Sequence, residues 1–306
     1  MVLTALASPA GTAHAADAPS CDLACLERIL DEYLAAVVAH DPSRAPLAAN
    51  VKFVENVVRM KPGEGLWQTA SEAPTTFKIY VPDPVSGQVG FMGVMKEEGK
   101  PIQVGVRLKV ENGRITEAEH LVVHQLPEAN LANLQTPRPS FLTPVKAVDR
   151  MPRGQMLKVA LSYYDALVNG DGSTTPFADD CVRHENGKQT TGNPPPRTPG
   201  PGTMSAMGCA AQLNTKTMSY IKRIEPRRVE IADVEMGLVF GLSQFRHPMK
   251  ERFVTIVGVP DVQKVDMPYD PFDLPAAHVF KIYGGKMHEI EAMGFVAPYD
   301  SKTGWE

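Results

Sequence analysis

The sequence predicts an α+β fold built twice: two tandem, similar domains, each a helix leading into a curved antiparallel sheet. Three observations carry this. First, the segment YLAAVVAHDPSRAPLAANVKFVEN (33–56) returns without a gap as YYDALVNGDGSTTPFADDCVRHEN (163–186). Nine of 24 positions are identical, among them Tyr33/Tyr163, Asp41/Asp171, Pro46/Pro176, Glu55/Glu185 and Asn56/Asn186, where chance would give about one or two. Second, LKVENGRITEAE (108–119) matches FKIYGGKMHEIE (280–291), both alternating apolar and polar residues around a Gly turn, as a hairpin does. Third, both units place a helical pattern before the strand patterns. The offset between units grows from 130 at the first anchor to 172 at the second, so the second unit carries about 42 inserted residues.

Taken in order, residues 1–20 are small and apolar with no charge before Asp17, and AHA at 13–15 has the small-residue pattern of a signal peptidase site. A signal peptide is expected there, the alternative being a disordered Ala-rich tail. The first domain is expected at 21–126. Leu26, Ile29, Leu30, Tyr33, Leu34, Val37 and Val38 recur at helical spacing and HDPSR ends the helix. VKFVENVVRM begins strand structure and GLWQTA reads as a loop or short turn. FKIYVPD, QVGFMGVMK, PIQVGVRLKVEN and RITEAEHLVV read as strands. A linker, ordered or partly extended, is expected at 127–153, and the second domain at 154–306. That domain repeats the order and adds two segments. One is TGNPPPRTPGPG followed by a helix over Met204–Met218, and the other is VPDVQKVDMPYDPFDLPA. Proline donates no backbone hydrogen bond, so the Pro-rich segments are expected as surface loops.

Composition is that of an ordinary globular protein, 43% hydrophobic and 22% charged, with a formal net charge of -4. There is no basic run to engage nucleic acid and no apolar run of about 18 residues to span a membrane. The four cysteines fit an oxidising compartment, with Cys21–Cys25 and Cys181–Cys209 as expected disulfides and a secreted or periplasmic location. A metal site is the weaker alternative, because Cys21 and Cys25 have no matching second pair; free thiols are what a cytoplasmic location would imply.

The repeated segments, YLAAVVAHD and YYDALVNGD followed by FADDCVRHE, resemble the nuclear transport factor two-like superfamily, which includes ketosteroid isomerase, scytalone dehydratase and SnoaL-like cyclases. The FVEN and GLW segments also resemble a group of secreted bacterial and fungal proteins. The resemblance implies a cone-shaped sheet wrapped on helices, with an apolar pocket at the wide end. It also implies chemistry in which a carboxylate moves a proton between carbons while a Tyr and a protonated Asp hold the enolate oxygen. On this chain the base position falls on Glu55 or Glu185 and the Tyr position on Tyr33 or Tyr163. The Asp position falls on Val106 or His278, so only the second domain keeps a polar group at all three.

The candidate catalytic residues are therefore Glu185 as base, Tyr163 and His278 as donors to an oxygen, and His184 as a neighbour that tunes Glu185 or touches substrate. Asn186, Tyr33, Glu55 and Trp67 are candidate substrate contacts. Each has a structural reading: the tyrosines and Trp67 as core, and Glu-Asn as a turn. His120 and His124 share a strand face, but no third ligand is evident and no metal is expected. The function these residues suggest is cofactor-independent proton transfer, of isomerase, dehydratase or lyase type, on a small apolar or aromatic oxygenated molecule. The alternatives are a secreted small-molecule binder, or an assembly module in which the units pack as a built-in dimer or the chain forms a homodimer.

Overall fold

The computed structural model describes residues 21–198, 200 and 202–306; the expected signal peptide or tail at 1–20 lies outside the described residues. The first domain runs α1 (Leu23–Val38), β1 (Leu47–Glu55), β2 (Val58–Met60), α2 (Leu66–Thr69), β3 (Ala70–Glu72), β4 (Lys78–Asp83), β5 (Gln88–Glu97), β6 (Lys100–Glu111) and β7 (Arg114–Val123). A short helix α3 (Glu128–Leu131) and three 3-10 turns lead to the second domain. That domain runs α4 (Arg153–Asn169), β8 (Phe177–Glu185), β9 (Lys188–Gln189), α5 (Gly202–Ser205), α6 (Cys209–Asn214), β10 (Arg223–Asp233), β11 (Leu238–His247), β12 (Phe253–Thr255), β13 (Lys264–Asp266), β14 (Phe272–Tyr283), β15 (Lys286–Gly294) and β16 (Ala297–Pro298).

The repeat encodes matching turns. Asp22 caps α1 by accepting from the Cys25 amide, and Leu26, Ile29, Leu30, Tyr33, Leu34 and Val37 bury one face of that helix. After each long helix an Asp caps a 3-10 turn: Asp41 accepts from the Ser43 amide at 3.0 Å, and Asp171 from the Ser173 amide at 2.9 Å. The strand that follows ends in Glu-Asn. Asn56 sits at φ 45° and Asn186 at φ 47°, the left-handed region Asn tolerates. The Asn56 amide group donates to the Val122 carbonyl and accepts from the Val122 amide; Asn186 does the same with Gly294. Those partners are again 172 residues apart.

The two sheets have the same order, β2-β1-β7-β6-β5-β4 and β9-β8-β15-β14-β11-β10, with β3 also on β5 and β16 on β14. The α+β fold of two tandem curved sheets is thus as the sequence predicts. One seam in each sheet is parallel, β1 with β7 and β8 with β15, which alternation alone does not reveal.

Alternation does place the core. On β5, Phe91 points into the first cone against α1, whereas Met92 points to the opposite face. There Ile79, Met92 and Leu121 pack against Phe240, Val279 and Met293, so the outer faces of the two sheets form an internal dimer-like interface. Gly90 lies in this contact, where a Cβ would sit 2.3 Å from the Phe240 ring. Leu134 and Phe141 of the connecting segment join the same cluster. The 127–153 segment is thereby anchored by its apolar residues.

Two insertion readings need correction. The single helix expected over Met204–Met218 is two short helices, α5 and α6, with Gly208 as the N-cap of the second. The second insertion is also not all loop: Lys264–Asp266 pairs with Phe253–Thr255 over a small cluster of Met204, Val254, Ile256, Val259 and Val262. Proline bars a strand only at its own position, and 261–267 contains none.

Both disulfides form, Cys21–Cys25 with Cα atoms 5.3 Å apart and Cys181–Cys209 with Cα atoms 5.6 Å apart. The second fastens β8 to α6. Its closure spans 28 residues, for which chain entropy gives about 3–4 kcal/mol, against about 2 kcal/mol for the short loop. Denaturant titration of the Cys181→Ala/Cys209→Ala pair is expected to show the larger loss; a smaller loss than in the Cys21→Ala/Cys25→Ala pair would contradict it.

Candidate active site

The two cones share a frame and differ in what fills it. In the first, Glu55 accepts from the Leu66 amide at 3.0 Å and from His120 Nδ1 at 3.0 Å. That leaves His120 Nε2 to accept from the Tyr33 hydroxyl at 2.9 Å. Trp67 meets Tyr33 edge-on at 5.3 Å, and its carbonyl accepts from His40 Nδ1 at 2.6 Å. Gly65, at φ 64°, permits this approach, because a Cβ there would lie 2.3 Å from Glu55 Oε1. Tyr33, Trp67 and His120 are 1% exposed, and burial pushes the Tyr33 pKa well up. Tyr33, Glu55 and Trp67, expected as substrate contacts, are therefore packed in a closed core, Tyr33 and Glu55 bonded through His120 and Trp67 against the Tyr33 ring, and line none of the described cavities.

In the second cone, Tyr163 from α4, Glu185 from β8 and His278 from β14 line one cavity of about 150 Å³. His247 and Tyr220 join them, and Leu167, Phe245 and Leu274 supply apolar wall. Behind it lies Arg183, fully buried. Its guanidinium donates to Gln212 Oε1 at 2.6 Å and Thr190 Oγ1 at 2.9 Å, reaches the Tyr163 hydroxyl oxygen at 3.5 Å, and pairs with Glu185 at 3.0 Å. A buried charge requires such partners, and α6, held by Cys181–Cys209, brings one of them.

Three expectations change here. Glu185 is not sealed in an apolar wall: its side chain is 47% exposed at the rim and ion-paired with Arg183. His184 is not in the cavity. Neighbours on a strand face opposite ways, so His184 points to the outer face, with Nδ1 3.9 Å from Glu291, and burial lowers its pKa to about 4. Asn186 touches the cavity, but its amide is occupied by Gly294.

His278 stacks between Phe280, at 5.4 Å and 4°, and Phe245, at 5.7 Å and 26°, and shares a 3.3 Å hydrogen bond with the Tyr164 hydroxyl. Burial, reinforced by the Arg183 charge, lowers its pKa to about 3, and burial lowers that of His247 to about 4. Both are neutral near pH 7. Burial raises the pKa of Tyr163, against the opposing charge of Arg183. In the first domain Val106 faces His120 across β6 and β7, and in the second His278 faces Ala292 across β14 and β15. Each interior thus keeps a Tyr, a His and a Glu, with the His on opposite members of the same cross-strand pair.

Sequence reasoning missed Arg183, His247, Tyr164 and Tyr220. Arg183 was readable, because it shares a strand face with Cys181 and Glu185; Tyr220 sits in the irregular chain between α6 and β10, which carries no period.

The depressed histidines make stability pH-dependent. Unfolded His278 and His247 take up protons below about pH 6.5, whereas the folded groups resist until pH 3–4. Their contribution is complete above pH 6.5 and is lost as pH falls through that window, at most about 1.4 kcal/mol per pH unit for each group. Urea midpoints at pH 7.5 and 5.0 should differ less in His278→Phe than in the parent; an unchanged difference would contradict the assignment.

Among the described residues no group of three or more His, Cys, Asp or Glu side chains is placed to hold a metal, and no helix is long and apolar enough to cross a membrane. A family described as a domain of unknown function (DUF8021) matches residues 149–294, the second domain. Solved structures similar to this chain include proteins described as nuclear transport factor two-like or SnoaL-like. An NTF2-like protein of unknown function from Cytophaga hutchinsonii is 14% identical, covering 32% of this chain and 88% of its own, with a TM-score of 0.27. A putative polyketide cyclase from Silicibacter is 14% identical over 47% of this chain and 92% of its own, with a TM-score of 0.29. A putative SnoaL-like polyketide cyclase from Jannaschia is 15% identical over 48% and 90%, with a TM-score of 0.28. No curated protein matches.

Proposed function

We propose that the second domain is a cofactor-independent proton-transfer catalyst, of isomerase, dehydratase or lyase type, acting on a small apolar or aromatic molecule that carries an oxygen. One observation supports it above the others: Tyr163, Glu185 and His278, from three separate elements, converge on one cavity whose remaining wall is mostly apolar. The Tyr163 oxygen faces Arg183 Nη1 at 3.5 Å, which leaves its own O–H to donate to a substrate oxygen. Neutral His278 is the second group at the floor. Developing negative charge on that oxygen is stabilised by donors already in place, and Glu185 at the rim takes the proton from carbon. The first domain, with its interior filled, serves as scaffold and dimer-like partner. Two disulfides are compatible with an extracellular or periplasmic site of action.

The Glu185–Arg183 pair favours a second reading, in which Glu185 only balances a buried charge and the cavity binds without reaction. Proton NMR of small enolisable ketones and phenols in D2O separates the two. Catalysed deuterium entry at carbon is the expected result; binding with no exchange across the panel would overturn catalysis and leave the binder.

A further inference from the structure

A cavity of about 150 Å³ is small, since an engineered apolar cavity of that size in another protein holds benzene. Met218, Tyr220 and Phe272 also line a groove of about 800 Å³. The groove's far side is Val265, Met267 and Tyr269 from the second insertion, with Val296 to Pro298 beyond β15. Tyr220 belongs to the irregular chain after α6, just beyond the first insertion. Val265, Met267 and Tyr269 belong to the material the second domain has gained.

The neck between the two spaces is built from rings. Tyr220 stacks on His247 at 5.5 Å and 27°, and His247 stacks on Phe272 at 4.3 Å and 10°. Among the described residues the Tyr220 hydroxyl is tied only to Met218 Sδ, at 3.5 Å. From the neck inward, Phe245 and His278 continue the stacked wall, with Phe245 to His247 at 6.3 Å and 8°. A flat ligand passing the neck would meet ring faces throughout. The charged side chains lining the groove are Asp266 and Asp270, loosely paired with Lys264 and Arg252 at 3.7 and 3.9 Å. Among the described residues no cation lines the groove to recognise an anion, and apart from Thr217 the rest of the wall is apolar or aromatic.

We propose that the ligand of the second domain is bipartite: an oxygen-bearing ring seated in the inner cavity, and an uncharged, flat apolar extension lying in the groove that the insertions build, with Tyr220 at the neck selecting for length. The inner half rests on the reading of the cavity given above; the outer half rests on the groove. The test compares phenol with 4-phenylphenol, which shares its head and adds one ring, by calorimetry on the parent protein and on Tyr269→Ala and Met267→Ser. Tyr269 is 54% exposed, so its truncation leaves the core intact, which an unchanged thermal midpoint verifies. The extended probe should bind at least about tenfold tighter than phenol, as burial of one more ring allows. Both substitutions should remove most of that gain while holding phenol within about twofold. Equal affinities for the two probes, or variants that weaken both alike, would overturn the proposal. If phenol fails to bind, the inner-cavity reading falls; 4-phenylphenol binding that still responds to Tyr269→Ala would then define a separate surface site and would overturn the bipartite ligand as well.

Discussion

Glu185→Gln is expected to lower turnover by about 10²- to 10⁴-fold, the range for losing a general base, with little loss of stability. The amide keeps the shape of the carboxylate and an oxygen to accept from Arg183, but it cannot take a proton from carbon. The half-exposed position of Glu185 limits the cost on its own side, and buried Arg183 keeps its bonds to Gln212 and Thr190. Glu55→Gln should do the reverse. Glu55 is buried and accepts from both Leu66 N and His120 Nδ1, so its substitution strikes the first domain's hydrogen bonds, about 1–3 kcal/mol, and barely touches turnover. The check is kcat beside the urea midpoint for both variants; equal losses of turnover would refute the assignment of the site to the second domain.

Trp67→Ala is expected to cost about 3–5 kcal/mol, the usual range for emptying a buried aromatic site. Trp67 is 1% exposed and packs on Tyr33, which in turn holds the His120–Glu55 chain. The GLW segment thus acts as a plug carried by α2. Equilibrium denaturation measures the loss. A cost under about 1 kcal/mol would mean that Trp67 roofs open space, and would revive the expectation that the first domain also binds a ligand.

The fold was legible because the duplicated residues are those that fix backbone geometry. Asp41/Asp171 cap turns and Asn56/Asn186 close strands in left-handed conformations, and such roles tolerate few replacements. The helix faces and the alternation of Phe91 and Met92 follow from period alone. The parallel seams were not legible, since pairing direction leaves no trace in alternation. That Tyr163, Glu185 and His278 line one cavity was legible by correspondence, whereas His184 was expected beside them from adjacency in sequence and strand geometry sends it to the opposite face. Tyr220 and the groove depend on how the insertions settle over the mouth of the cone, a matter of tertiary packing with no local signature.

The central claim is that duplication left one open interior and one closed one. Titration of the protein with phenol, followed through its histidine side-chain NMR resonances, tests it most directly, because His278 and His247 line the second cavity and His120 sits inside the first cone. Saturable shifts at His278 and His247, with His120 unmoved, are the predicted result; shifts at His120 that equal or exceed those at His278 would contradict it.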